Sequence, residues 1–371
     1  MNRPILHLIP HLSGGGMERR MAIIAKYSSL KLPVYIAFLS EGLNKKDIDL
    51  PNIKKYKIDS KSNYDYRILI KLIILIIKIR PKVIQTWSIQ MDILGGILCM
   101  IFRINHIMME PISPEANSRA IFDLKFFIKS LVAKNSIVIS NSKNGMHFWK
   151  KKNVKKSLLI RNGFDLKKIQ NAKEKFPSKL EKFINNSKFI VTASRLSITS
   201  LHKQNDLILK TFSLIVKKDP SLKLVICGGG PYESFYKELA VSYKLESNVF
   251  FTGFLKREQL WAVFHRALLF ISLSKFEGMP NSVVEAALCK TPLFISRIET
   301  HLEVIPEDLA YFAYNSDPDL LSEEIIKVIN KSKKSLTNSS LLFDYLKKFS
   351  LEAMMNKYMR LYKFIYGKNK K

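Results

Sequence analysis

The chain has 371 residues, 47% of them hydrophobic and 25% charged, with a formal net charge of +30. That length exceeds one comfortable core and predicts two domains, and the near-average charge fraction excludes disordered, collagenous and coiled-coil classes. So basic a balance points to an anionic partner (nucleotide, nucleic acid, phospholipid surface or phosphorylated substrate), although an AT-rich genome would also produce 48 Lys against 13 Arg. The excess leans to the first half, where residues 1–160 carry 27 basic and 10 acidic side chains.

Along the chain, short apolar runs rich in Ile, Val and Phe alternate with longer segments of helical period, which predicts strand–helix units and parallel sheets. The opening "MNRPILHLIPHL" passes straight into a glycine turn and lacks a signal peptide's cleavage site. Strand-like runs stand at "ILHLI", "VYIAFL", "KVIQTW", "HIMM", "SIVIS" and "SLLIRNG" in the first half. The second half has "FIVTAS", "LKLVICGG", "VFFTG", "LLFISLS", "PLFIS" and "LAYFAY". Two such sets predict two doubly wound α/β domains, over residues 1–165 and 187–345, with 346–371 holding an amphipathic helix and a basic tail. The lysine-rich stretch "NGFDLKKIQNAKEKFPSKLEKFINNSK" reads as the linker.

The strongest candidate for a membrane span is "YRILIKLIILIIKIR", Tyr66 to Arg80, but Lys71 and Lys78 interrupt it well short of the ~20 apolar residues a span needs. Arg67, Lys71 and Lys78 fall within about 40° of one another, so the segment is expected to be a helix with one polar stripe and otherwise buried. "RAIFDLKFFIKSLVAK" and "HFWKKKNVKK" interleave aromatics with lysines. That mixture suits an anionic membrane interface, and equally a buried aromatic face with a solvated lysine face. Cys99, Cys227 and Cys289 are widely spaced in apolar runs and read as reduced core residues of a cytosolic protein.

Open parallel sheets bind ligands beyond the carboxyl ends of their strands, so glycine loops after strands come first. Gly14 to Gly16 and Gly228 to Gly230 each suit a phosphate at a helix start, and each suits a tight turn equally, since neither completes a GxGxxG or Walker pattern. After "LLFISLS" comes "KFEGMPNSVVEAALCK", with Glu277 in a loop and Glu285 in the first turns of a helix that Asn281 or Ser282 can cap from about Val283. The amides of Gly278, Met279 and Asn281 and the helix dipole attract an anion such as a diphosphate, while the carboxylates accept hydrogen bonds from hydroxyls. This suits a sugar nucleotide; an ordinary helix start with acids favourable to its dipole is the plain alternative. In "VTASRLSITSLHKQNDLIL", Arg195 and Lys203 bring two cations to the same sheet edge, where they can neutralise a departing diphosphate. "DID" (Asp47, Asp49) and "DPD" (Asp317, Asp319) have a metal-site spacing but lie in polar, non-strand context, so no metal is expected.

Together, "GGMER", "SNS", "IRNGFD", "SRL...HKQND", "ICGGGP", "FTGF", "FEGMPNSVVEA", "SRIETHLEVI" and "FSLEAMMNKYMRLY" resemble the family 4 glycosyltransferases of the GT-B fold, in that family's order and over nearly the whole chain. The resemblance implies two Rossmann-like domains facing a central cleft. The nucleotide sugar would lie mainly on the C-terminal domain and the acceptor on the N-terminal one, to which the last helix crosses back. Carried over by motif, Glu277 would contact donor-sugar hydroxyls beside the backbone of Gly278, Met279, Pro280 and Asn281. Glu285 would hold the ribose, Arg195 and Lys203 the diphosphate; Gly15 and Gly16 would close on the phosphates, and the base would lie near Phe254.

The resemblance further implies a retaining, front-face transfer with no metal or other cofactor, in which the leaving phosphate helps take the acceptor's proton. The implied reaction moves a hexose or N-acetylhexosamine, from a UDP-sugar first of all, to a lipid-linked saccharide in bacterial surface-polysaccharide assembly. It would take place in the cytoplasm, peripherally on an anionic membrane, without nucleic acid. An inactive or hydrolytic relative, or a basic nucleic-acid-binding protein, are the alternatives. The sequence departs from the family in three places. Arg195 and Lys203 stand a few residues further apart than usual. His106 comes too early for the family's acceptor-side histidine and is expected packed or half exposed, while Glu110 stands where it could face the acceptor. "SRIETHLEVI" lacks the double glycine before Glu303, which leaves Glu303 a capping residue.

Overall fold

The structure, a computed structural model, describes residues 3–12, 16–42, 48–62, 65–110, 124–172 and 175–367, without the side chains of 332–338. The chain divides into two compact units, Met1–Gly163 with Glu352–Lys371, and Phe164–Leu351. Both are the predicted Rossmann-like α/β units.

Among the described residues, the sheet of the first unit has seven parallel strands: β1 (Ile5–His11), β2 (Val34–Ser40), β3 (Ile53–Lys57), β4 (Val83–Trp87), β5 (Asn105–Glu110), β6 (Ile137–Ser140) and β7 (Ser157–Leu159). Their order is β3-β2-β1-β4-β5-β6-β7. The inner strands are buried on both faces and therefore read as continuous apolar runs. β3, "IKKYK", was not among the predicted strands, because it is an edge strand whose exposed lysines break the apolar pattern and keep that edge in water.

Two glycines set how closely the helix Ile89–Ile101 packs. A Cβ on Gly95 would lie 2.6 Å from Thr86 Cγ2 on β4, and one on Gly96 would lie 2.0 Å from Val132 Cγ1 on the neighbouring helix Leu124–Lys134. The helix Arg67–Ile79 forms as expected and buries Ile68, Leu72, Leu75 and Ile76. The expectation that it is otherwise buried is corrected, since Leu69, Ile70, Ile74 and Ile77 are exposed. A helix lying on a sheet covers only part of its circumference, and this one is apolar over more than that arc.

The last helix, Leu351–Gly367, belongs to the first unit from Glu352 onwards. Tyr358 and Tyr362 are fully buried and polar-anchored: Arg20 Nη2 donates to Tyr358 Oη at 2.9 Å and to the Ile160 carbonyl at 2.7 Å, and Tyr362 Oη donates to Gln85 Oε1 at 2.7 Å.

In the second unit the described strands are β8 (Phe189–Ala193), β9 (Lys223–Cys227), β10 (Val249–Phe251), β11 (Leu269–Ser272), β12 (Leu293–Ser296) and β13 (Tyr311–Ala313), parallel in the order β10-β9-β8-β11-β12-β13. The segment read as a linker folds into this unit. It forms the helices Leu166–Gln170 and Ser178–Ile184, whose Ile169, Leu180 and Ile184 join the core while their lysines face outward. Hydrogen bonds from Phe164 N to Phe349 O and from Leu351 N to Phe164 O, each 2.9 Å, tie together the two ends of this unit, where the chain enters and leaves it. Cys99, Cys227 and Cys289 are free and buried, as expected.

Because Tyr358 is buried and partnered, Tyr358→Ala is expected to lower unfolding stability by about 3 kcal/mol and Tyr358→Phe by about 1 kcal/mol in chemical denaturation.

Candidate active site

Strand order in the second sheet reverses between β8 and β11, and the crevice beyond the carboxyl ends of strands at such a point is where open α/β sheets bind ligands. Arg195 and Lys203 follow β8, and Glu277 follows β11. Lys203 and Glu277 are brought into a direct ion pair across that point. The wide spacing between Arg195 and Lys203 is taken up by a single 3₁₀ segment, Ile198–Lys203, and the His202 ring stacks on Phe276 at 4.6 Å.

Glu277 is 7% exposed and accepts a hydrogen bond from Ser274 Oγ at 2.8 Å. Burial opposes its ionisation, but the Lys203 ammonium, the electrostatic influence of His301 and the hydrogen bonds outweigh it and hold the carboxyl below its usual value. Glu277 is thus an anion at neutral pH, with lone pairs available to hydroxyl donors. The helix Asn281–Leu288 begins two residues earlier than expected, with Pro280 at the N-cap and no side-chain cap hydrogen bond. Pro280 has φ −78°, close to the value its ring imposes, which enters the helix directly. Met279 and Pro280 are buried and Gly278 and Asn281 half-buried beside Glu277. Glu285, on this helix, is buried and ion-paired with Arg257.

Arg195 is exposed. Its loop is placed by the second glycine run: a Cβ on Gly228 would meet the Ser194 carbonyl at 2.0 Å and one on Gly230 the Leu196 carbonyl at 2.1 Å, and both glycines have positive φ. Backbone bonds from Leu196 N to Gly229 O (3.1 Å) and Tyr232 N to Leu196 O (3.0 Å) complete the fit. These glycines therefore build the wall that carries Arg195. Phe254 lies against Gly229 and is 68% exposed, leaving a ring face open to solvent.

The first unit is less generous. Gly16 is exposed at the start of the helix Gly16–Ser29, after β1; Gly15 lies outside the described residues. Glu110 is corrected: it is 1% exposed, and Lys129 Nζ sits 2.6 Å from its Oε2 and 3.3 Å from Asp92 Oδ2, so this carboxylate is committed to a buried ion pair rather than turned to an acceptor. His106 is packed between Thr86 Oγ1 (3.0 Å) and Ser136 Oγ (2.7 Å). Glu303 stands at the C-cap of the short helix Glu299–Leu302.

Sequence reasoning missed Ser274, Arg257 and His301. His301 Nδ1 lies 2.7 Å from the Ser296 carbonyl, which can only accept, so the ring proton sits there and Nε2 is a buried lone pair without a hydrogen-bond partner among the described residues. No spacing rule singles out a lone His or Arg, although His301 follows β12 as Glu277 follows β11.

Residues 173–338 match the family model described as Glycosyl transferases group 1. The poly(ribitol-phosphate) alpha-N-acetylglucosaminyltransferase of Staphylococcus aureus is 23% identical over 64% of this chain and 46% of its own length. The poly(glycerol-phosphate) alpha-glucosyltransferase of Bacillus subtilis is 31% identical over 53% of this chain and 29% of its own. The chain thus spans less than half the length of these relatives. The crystal structure of Anabaena HepE in complex with UDP and glucose has a TM-score of 0.81 at 18% identity, covering 97% of this chain and 99% of that one. The fold is that of the GT-B glycosyltransferases, and the family match and relatives support a transferase.

Gly228→Ala and Gly230→Ala are each expected to cost about 1–3 kcal/mol in chemical denaturation, because a strained backbone must move a carbonyl. pH acts through the buried imidazoles: burial holds His301 down to about 4 and His7 and His106 down to about 3, against an ordinary 6.5. The unfolded chain then binds protons that the folded one refuses, so stability falls as pH drops below about 6.5, by up to about 1.4 kcal/mol per pH unit for each group. Asp92, raised by burial to about 6, offsets part of this because its folded form keeps a proton. A denaturation series from neutral to mildly acid pH is expected to show net loss, made shallower by His301→Asn; a flat profile would contradict it.

Proposed function

We propose that the chain is a retaining glycosyltransferase that moves a hexose or N-acetylhexosamine from a nucleotide sugar, a UDP-sugar first, to a lipid-linked saccharide. The observation that carries this reading is the Lys203–Glu277 pair at the β8/β11 switch point, with Arg195 in the same stretch after β8 and the helix Asn281–Leu288 starting four residues after Glu277. Cations and a helix start suit a diphosphate, and a buried, ionised acid suits sugar hydroxyls.

In this reading Arg195 and Lys203 neutralise the charge that develops on the departing diphosphate. Glu277 accepts hydrogen bonds from the donor sugar, Glu285 from the ribose, and Phe254 offers its open face to the base. The bond from the anomeric carbon to the phosphate oxygen breaks as the bond to the acceptor oxygen forms on the same face, and the acceptor's proton passes to the leaving diphosphate. The two cations supply the electrostatics a metal would otherwise give, so the reaction is proposed to be metal-independent. The names of the Staphylococcus and Bacillus relatives, a poly(ribitol-phosphate) alpha-N-acetylglucosaminyltransferase and a poly(glycerol-phosphate) alpha-glucosyltransferase, support an α-linked sugar as the product. The UDP and glucose in the HepE crystal support the donor class. We place the reaction at the cytoplasmic face of an anionic membrane, in surface-polysaccharide assembly. No described helix is long and apolar enough to cross a bilayer.

Transfer assays with UDP-, GDP-, ADP- and CMP-sugars test the proposal, preceded by a thermal-shift screen, since a ligand bound only by the native state raises its melting temperature. Glu277→Gln and Arg195→Ala are each expected to lower kcat/KM by about 10²–10³-fold, with full wild-type activity retained in excess EDTA. Wild-type turnover in either variant, or donor hydrolysis with no transfer to any saccharide, would overturn it.

A further inference from the structure

Three neighbouring helices of the first unit, Arg67–Ile79, Ile89–Ile101 and Leu124–Lys134, each turn an apolar stripe away from the sheet. On the first, Ile70, Ile74 and Ile77 are 48%, 59% and 56% exposed. They fall within about 60° of one another and opposite the buried Ile68, Leu72, Leu75 and Ile76, so they form the outermost line of the helix. Tyr66, one turn earlier, extends that line and is also exposed. Met100 and Ile101 continue the pattern on the second helix, and Phe127 and Leu131 on the third, whose close approach Gly96 permits. A run of exposed apolar side chains over adjacent helices is more than the scattered exposure normal for a soluble surface.

The charge beside these stripes is predominantly positive. Arg67, Lys71 and Lys78 lie along the flank of the isoleucine line. Arg103, Lys125 and Lys134 are exposed around the other two helices. From Leu124 to Lys156 there are nine lysines and no acid; of the described acids next to the layer the Asp65 and Asp92 side chains are buried, and Asp59, whose carbonyl accepts from Lys71 Nζ at 2.6 Å, is exposed. A second copy of this face would set cation against cation, which disfavours self-association. An anionic bilayer matches both features, taking isoleucines at the acyl boundary and ammonium groups at the phosphates.

We propose that this three-helix layer is the surface by which the protein docks on an anionic lipid bilayer, with the isoleucine line of Arg67–Ile79 as its insertion edge. The inference rests on the proposed function for its purpose, since it would bring the chain to a lipid-linked acceptor, but its test reads binding and not transfer. The full chain is floated with phosphatidylcholine vesicles with and without phosphatidylglycerol. Wild type is expected to float with the anionic vesicles and to lose most of that binding without phosphatidylglycerol or at high salt. Ile70→Ser, Ile74→Ser and Ile77→Ser combined, and separately Lys71→Glu with Lys78→Glu, are each expected to cut partitioning about tenfold. The thermal shift given by UDP should be unchanged in both variants. Equal behaviour of wild type with both vesicle types, or variants that float as wild type does, would overturn the proposal. So would a concentration-dependent dimer in light scattering that the serine substitutions dissolve. A wild type that floats but gives no shift with any nucleotide would sink the functional reading and leave this one standing.

Discussion

A single ion pair organises the candidate site of the second unit. Lys203 and Glu277 meet where the strand order reverses, so a cation from the loop after β8 and an anion from the loop after β11 occupy the crevice that parallel sheets leave open. Charges this buried persist only when partnered, and removing one partner leaves the other stranded. The surroundings are arranged accordingly: Ser274 bonds the carboxylate, His301 stands near it as a neutral imidazole, and the 3₁₀ turn carries the lysine inward. Glu285 and Arg257 repeat the device one helix away. Glu277 is therefore held as an anion in place, and in the proposed function an incoming diphosphate would compete for a cation that is already there.

Elsewhere the same chemistry serves the fold. Lys129, Glu110 and Asp92 form a buried charged group in the first unit, and Arg20 with Tyr358 anchors the returning helix. Arg20, the residue after the motif "GGMER", is thus a structural arginine, whereas Gly228 and Gly230 make room for the backbone on either side of Arg195. The use of the second glycine run is decided by what the missing Cβ atoms would strike.

Much of this was legible in the sequence. Buried parallel strands must be apolar on both faces, so they stood out as runs, and Glu277, Glu285, Arg195 and Lys203 stood out because they follow such runs. β3 escaped because an edge strand is relieved of that requirement and carries lysines instead. The linker reading failed because lysine density hid Ile169 on one short helix and, on the next, Leu180 and Ile184, whose i, i+4 spacing is that of a buried helix face. Periodicity identified the helix Arg67–Ile79 but could not say how wide an arc the sheet would cover. Glu110 had the right position in the chain, yet its partner Lys129 lies on another element, and no local pattern discloses a long-range pair. Arg257 and His301 were silent for the same reason.

Titration calorimetry of UDP with wild type and with Lys203→Met tests the central claim most directly. The account expects the substitution to weaken binding by about 2 kcal/mol, or about thirtyfold in Kd, in a protein that remains folded. An unchanged affinity would mean that the diphosphate binds away from the pair, and would contradict the account.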